Sequence, residues 1–219
     1  MEKKNSKLNL FVGIIVLCFA LFGAISLLSL TVGRVKENID EKNYEEYSSY
    51  EQFIAPVIMN DPDTFDDITK ADMSQLLSIA IWSILDSDNA PDDYKYTDEG
   101  MLLESEAVEK EFESLFGTEV TPVHTSVDGG EGVEFRYSED RKCYVIPITG
   151  ITPIYTPKIL EKSERTDRIV LTVGYLASTN WQQDSNGNMV EPEPGKTMKI
   201  TLGKNSDGSF YVRAIQAAQ

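Results

Sequence analysis

The sequence predicts an α+β protein in which an N-terminal transmembrane helix precedes helices packed on one face of a curved antiparallel sheet. Three observations predict this. Residues 8–33 carry no charge and are almost entirely apolar. Apolar residues from Met73 to Leu85 recur with the period of a helix, and after Gly117 the period changes to the alternation of β-strands. Because the helical segments precede the strands instead of alternating with them, the pattern favours α+β over a parallel βαβ fold.

The apolar segment predicts an uncleaved membrane anchor. At about 1.5 Å per residue, a helix over residues 8–33 is about 39 Å long and exceeds the hydrocarbon core of about 30 Å. The segment lacks the polar face of a helix in a globular core, and it is longer than the apolar region of a signal peptide, about 7 to 15 residues. Cleavage after Ala24 would place Phe22 at position −3, which is unfavourable. A weaker cleavage site after Gly33, with Thr31 at −3, stays open as the alternative.

The predicted anchor divides the chain into four parts. These are a cytoplasmic tail (1–7), a transmembrane helix (8–33), a helical juxtamembrane stalk (34–60) and an extracytoplasmic α+β domain (61–219). Lys and Arg nearly balance on the two sides of the anchor, and the N-terminal amine tips the count toward a cytoplasmic N-terminus. Long domains translocate largely regardless of charge, which favours a single-pass cell-membrane protein with its domain outside.

The net charge of the chain disfavours some classes of binding partner. The chain has a net charge of −16, and without residues 1–33 it keeps 17 basic and 35 acidic residues, or −18. A field of this sign repels nucleic acid and anionic lipid head groups, so a nucleic-acid partner is disfavoured. The predicted partners are the membrane itself and a protein or cell-wall component. Cys18 lies in the span and Cys143 in the domain, too far apart for an intrachain disulfide, and this scarcity of cysteine fits a bacterial surface protein.

Three helices are predicted before the strands. In the stalk, apolar and aromatic residues recur at helical spacing and predict a helix that packs onto the domain before Pro56; they are Tyr44, Tyr47, Tyr50 and Ile54. The next helix has an unbroken apolar stripe formed by Met73, Leu76, Leu77, Ala80, Ile81, Ile84 and Leu85.

The ends of these helices are marked by capping signals. Thr69 with Asp72 predicts a capping-box start for the second helix. The third helix ends at Gly117, a natural stop after Phe116. Its start is open between Gly100 and Ser105.

The strands follow Gly117. The stretch "GVEFRYSEDRKCYVIPI" predicts two strands joined by a polar turn at residues 138–142. Pro153 and Pro157 make "ITPIYTPKILEKSE" an edge strand or a crossing loop, because proline cannot donate to a sheet. "DRIVLTVGYLAS" predicts a long strand. "KTMKITL" and "SFYVRAIQ" predict a hairpin that turns at Gly208.

The residues that usually carry chemistry are sparse. His124 is the one histidine of the chain, which excludes a multi-histidine metal site and a histidine dyad. An exposed or hydrogen-bonded structural role is predicted for it. Cys143 lies in a strand pattern and is predicted to be a buried, inert thiol. No phosphate-binding, dinucleotide, zinc or calcium loop pattern matches, so the sequence predicts no catalytic residue, no metal and no cofactor.

Two exposed aromatic residues are the candidate partner or ligand contacts. Tyr155 lies in "TPIYTP", and Trp181 lies in a polar loop beside "QQDSNGN". An aromatic side chain on a long loop is often used for binding. The alternative is that each covers an edge of the core, and the sequence does not decide between the two.

The order of elements from Ile68 to Ile215 resembles the nuclear-transport-factor-like (cystatin-like) domains that many bacterial proteins carry outside the membrane. Among these proteins are the inner-membrane bridging components of type IV secretion and conjugation systems. The resemblance rests on "MSQLLSIAIWSIL", "VEKEFESLFG" and the final strands. It implies a conical pocket between helix and sheet that could serve ligand binding, protein binding or catalysis, and it carries over no functional residue.

These observations predict a membrane-anchored, extracytoplasmic binding or assembly module of the bacterial envelope that is not an enzyme. One alternative is a small hydrolase or isomerase, for which a carboxylate and a tyrosine should meet in the pocket with a desolvated acid. Another is an inhibitor of a cell-wall enzyme, whose acidic surface would block a basic cleft.

Overall fold

The structure is a computed structural model that describes residues 45–86, 94–130, 132–148 and 153–218. The folded unit is Tyr50–Gln219; residues 45–49 belong to a separate unit and are helical. The predicted tail and transmembrane helix, and residues 34–44 of the stalk, lie outside the described residues. Within the described ranges, no helix is both long and apolar enough to cross a membrane.

The folded unit is α+β, as predicted, with helices packed against antiparallel sheets. The helices are α1 (residues 50–60), α2 (Met73–Asp86) and α3 (Ser105–Phe116), with a 3-10 turn at Ile68–Lys70. α3 contacts a strand of each large sheet, so it joins the two halves of the core. The prediction of one sheet is wrong, because the described strands form two large sheets and a short ribbon.

The first sheet has five antiparallel strands in the order β1-β2-β5-β4-β3. Its strands are β1 (Lys95–Thr97), β2 (Gly100–Glu104), β3 (Val127–Gly130), β4 (Val133–Ser138) and β5 (Cys143–Ile146). The two strands predicted around residues 138–142 are β4 and β5, which confirms that hairpin.

The second sheet has four antiparallel strands in the order β11-β10-β7-β6. Its strands are β6 (Tyr155–Glu164), β7 (Arg168–Ala177), β10 (Lys196–Lys204) and β11 (Phe210–Ala217). Pro157 lies on β6, an edge strand, as predicted from its missing N–H. The hairpin of β10 and β11 is also confirmed, with Gly208 in its turn at φ +90°. In the chain, β7 and β10 are separated by a two-stranded ribbon formed by β8 (Gln182–Gln183) and β9 (Met189–Val190).

α1 packs its apolar face on the second sheet. The Tyr50 ring lies 5.3 Å from the ring of Phe210 on β11. The helix continues through Pro56 to residue 60, although a proline inside a helix removes one backbone hydrogen bond. Val57 and the two residues after it are buried. Burial of this last turn offsets the cost of the proline, since each buried aliphatic side chain contributes about 1.5–3 kcal/mol.

α2 is surrounded by other elements on most sides, with every residue from Leu76 to Trp82 buried. Its polar groups are bound to β3: Ser78 Oγ donates to the Asp128 carbonyl at 2.8 Å, and Trp82 Nε1 donates to the Gly129 carbonyl at 2.9 Å. The helix is therefore fixed to the first sheet both by packing and by hydrogen bonds.

The start of α2 differs from the predicted capping box. Asp72 is the cap, because its carboxylate accepts from the backbone N–H of Ser74 at 2.8 Å. Thr69 belongs to the preceding 3-10 turn, where its N–H donates to the Asp67 carboxylate at 2.9 Å. Asp67 thus caps the 3-10 turn and Asp72 caps α2, whereas the sequence pattern predicted a single capping box.

α3 begins at Ser105 and ends at Phe116, with Gly117 as its C-cap. β2 continues into α3 without a loop. Glu104 still pairs with Cys143 on β5, so the helix starts at Ser105 and not near Gly100. At the other end Gly117 has φ +76°, and its N–H donates to the Glu113 carbonyl at 2.8 Å. A Cβ at Gly117 would lie 2.9 Å from the Tyr211 ring, so both the backbone angle and the packing require glycine there.

Candidate functional site

A cavity of about 570 Å³ opens beside β2, between the end of α2 and the start of α3. Its volume lies in the range of small-molecule sites, about 300–1,000 Å³. Most of its wall is apolar and is formed by Ile84, Leu102, Leu103, Ala107 and Cys143. The direct passage from β2 to α3 builds this wall, since the N–H of Ser105 donates to the Lys142 carbonyl at 3.0 Å and holds the first turn of α3 beside β5.

Four polar side chains complete the cavity lining: Tyr94, Lys95, Glu104 and Arg141. The Tyr94 hydroxyl is buried and has no hydrogen-bond partner among the described residues. Burial raises the pKa of Tyr94, with a smaller contribution from neighbouring Tyr96. Such an unpaired buried hydroxyl costs free energy that a bound acceptor would recover.

The charged groups at the cavity are accessible to solvent. Lys95 Nζ lies 3.8 Å from a Glu104 carboxylate oxygen, with both side chains more than two-thirds exposed. The Arg141 guanidinium is exposed, and no carboxylate of the described residues lies within 4.0 Å of it. The described lining therefore carries one paired cation and one unpaired cation.

Cys143 is buried, as predicted, and its thiol is free. It lies in the cavity wall opposite Glu104, its partner in the β2–β5 register. Its thiol can therefore report on whether the cavity is occupied.

Tyr155, the first predicted contact, lies in a cluster around Lys196. Lys196 Nζ lies 5.2 Å from the Tyr155 ring centroid and 4.6 Å from that of Tyr175, and it forms an ion pair with Asp61. The two rings meet edge to face at 5.5 Å. One face of Tyr155 is thus occupied by a cation of the same chain. A partner contact at Tyr155 stays a prediction.

Trp181, the second predicted contact, is half-buried between the 3-10 turn Ser178–Asn180 and the β8–β9 ribbon. Among the described residues it makes no ring contact with Tyr155, so the structure does not join the two into one site. The loop after it is held to the second sheet, where Lys158 pairs with Glu191 at 2.8 Å. A partner contact at Trp181 also stays a prediction.

His124 is hydrogen-bonded, which confirms one of the two roles predicted for it. Its Nε2 lies 2.8 Å from the Glu109 carboxylate on α3, and its Nδ1 lies 3.0 Å from the Tyr144 hydroxyl on β5. Its ring stacks on Tyr137 at 5.0 Å. Burial, and next the neighbouring Tyr137, raises the pKa of Tyr144, so this phenol stays protonated and is a poor nucleophile. The cluster connects α3 to the first sheet.

Sequence reasoning missed the cavity residues because it missed β1 and β2. The signal that could have found them is "YKYTDEGMLLE", two short runs around a turn that contains Gly100 at φ +142°. Within the described residues no three His, Cys, Asp or Glu side chains group closely enough to hold a metal ion.

Comparison with protein-family models, curated proteins and solved structures finds no match to this chain. The resemblance to nuclear-transport-factor-like domains therefore stays a prediction.

Proposed function

We propose that the chain is a single-pass membrane protein of the bacterial envelope whose C-terminal domain, outside the membrane, is a non-catalytic binding or assembly module. The uncharged segment of residues 8–33 supports the location. The N-terminus would be cytoplasmic, and the acidic domain would face a protein or a cell-wall component rather than nucleic acid.

The observation that carries the binding role is the cavity beside β2, with its apolar wall and charged mouth. Small-molecule sites combine these two features. The enzyme alternative needs a tyrosine and a desolvated carboxylate together. Tyr94 and Glu104 both line the cavity, but Glu104 is exposed and lies beside Lys95. This geometry favours binding over acid–base catalysis.

The resemblance predicted from the sequence, to extracytoplasmic domains of secretion and conjugation components, adds an assembly role to the same proposal. Tyr155 and Trp181 are the proposed contacts with the partner. Trp181 is the better target for a test, because Tyr155 also holds Lys196 in place.

The location is tested by adding protease to intact cells and by sequencing the N-terminus of the mature protein. We expect the domain to be digested in intact cells and residues 1–33 to be present in the membrane-bound protein. A domain that survives until the cells are permeabilised, or a mature chain that starts after Gly33, would overturn the proposed location.

The binding role is tested by cross-linking in intact cells followed by purification of the full chain. We expect a partner to be recovered with the wild-type chain and to be reduced with Trp181→Ala. The matched control is Val123→Ala, which also shortens an exposed apolar side chain and should leave recovery unchanged. Turnover of a substrate by the purified chain, with no partner recovered, would refute the non-catalytic role.

A further inference from the structure

We infer that the cavity beside β2 binds a small amphiphile with an apolar body and one carboxylate. This inference rests on the proposed binding function and names the class of ligand that the site takes. The apolar body would fill the wall formed by Leu102, Leu103 and Cys143, and the carboxylate would meet the guanidinium of Arg141.

The charge at the mouth selects a single negative charge. Lys95 and Glu104 lie 3.8 Å apart and largely neutralise one another. Arg141 is left with no carboxylate within 4.0 Å among the described residues. Among the described residues, the lining thus has one uncompensated positive charge, in a chain of net charge −16. A guanidinium binds a carboxylate through two parallel hydrogen bonds.

One further feature supports an acidic head group. The buried Tyr94 hydroxyl has no acceptor among the described residues, and a carboxylate oxygen would supply one.

The apolar wall sets how binding should depend on the length of the ligand. Each buried methylene contributes about 0.8 kcal/mol, or about fourfold in affinity. Extending the chain from hexanoate to octanoate should therefore tighten binding about fifteenfold while the cavity has room.

The test uses the full-length chain with Cys18→Ala, so that Cys143 is the one thiol. A small alkylating reagent modifies Cys143, and mass spectrometry measures the rate in the presence of octanoate, hexanoate, octyl phosphate or octan-1-ol. We expect octanoate to protect Cys143 in a saturable manner. Hexanoate should require about fifteenfold higher concentration, and octyl phosphate and octan-1-ol should protect less well than octanoate.

Two matched variants test the head-group contact. Arg141→Gln should raise the half-protecting concentration of octanoate about tenfold, since a hydrogen bond to a charged group is worth about that much. Arg213→Gln removes an exposed arginine of β11 that does not line the cavity and should change nothing. Octanoate that dissolves in a surrounding bilayer affects both variants equally, so the comparison between them is specific to the site.

Equal protection by octanoate and octan-1-ol, or equal effects of the two arginine variants, would overturn the inference. Stronger protection by octyl phosphate would also overturn it. If the thiol is too buried to react without ligand, calorimetric titration of octanoate gives the same decision. Ala107→Phe fills the mouth of the cavity at an exposed helix position and should abolish the heat of binding; unchanged heat would overturn the inference. None of these results depends on where the domain is located in the cell.

Discussion

Tyr144 and Tyr175 are two buried tyrosines for which the same substitution should have different effects on stability. Both side chains are 0% exposed. Burial raises the pKa of each, because the ionised phenolate would lose its water. The Tyr144 hydroxyl lies 3.0 Å from His124 Nδ1, whereas the Tyr175 hydroxyl has no hydrogen-bond partner among the described residues.

The magnitudes follow from this difference. Tyr144→Phe removes a hydrogen bond and leaves the buried side of His124 unpaired, so we expect a loss of about 1–2 kcal/mol in the free energy of unfolding. Tyr175→Phe removes a buried hydroxyl whose loss of water is not compensated by a hydrogen bond, so the free energy of unfolding should be unchanged or rise by up to about 1 kcal/mol. The phenylalanine ring keeps the face that Lys196 Nζ approaches at 4.6 Å.

The assay is urea unfolding of a fragment spanning residues 45–219. With a slope of about 2 kcal/mol/M, the midpoint should fall by about 0.5–1 M for Tyr144→Phe and should not fall for Tyr175→Phe. Equal slopes are needed for the comparison, because a changed slope reports a change in the unfolded or folded ensemble. If both variants lower the midpoint equally, hydrogen bonding does not distinguish the two hydroxyls and the reasoning is refuted.

Three further predictions use the same unfolding measurement. Gly117→Ala should cost more than the roughly 1 kcal/mol of backbone strain expected for Gly187→Ala, because both glycines have positive φ and only the first is closely packed; equal losses would contradict this. Asp72→Ala should cost about 1 kcal/mol and Thr69→Ala clearly less, as the observed cap requires; the reverse order would restore the predicted capping box. Hydrogen bonds from two lysines lower the pKa of Glu164 to about 2, so its stabilising effect should be present above about pH 4.5 and disappear toward pH 2. Unfolding midpoints of Glu164→Gln and wild type should therefore converge at low pH, and a constant difference would contradict the assignment.

Most helices and strands of the folded unit could be predicted because their signals are local. The apolar stripe of α2, the proline on β6 and the turn at Gly208 each act over a few residues, and each was found where the sequence predicts it. Apolar periodicity predicts these elements because a helix or strand that is buried on one side carries apolar residues at the spacing of that side.

The candidate site could not be predicted in the same way. β1 and β2 are three and five residues long, which is too short to show a clear period, and β2 continues into α3 without a loop. Whether Arg141 has an ion-pair partner among the described residues depends on which carboxylates the fold brings near it. The sequence offers many acidic residues and does not say which of them lie near it.

By itself, the sequence determined the α+β class, the presence of most helices and strands, and the acidic charge of the domain, and it supplied the membrane anchor as a prediction. Tertiary structure alone decided that the strands form two sheets, that Tyr155 shares Lys196 with Tyr175, and that a cavity opens beside Cys143. The physical reason is the distance along the chain over which the deciding interactions act. Secondary structure follows from neighbours along the chain, whereas the tertiary arrangement depends on contacts between distant residues, such as the ion pair of Asp61 and Lys196, which are 135 residues apart.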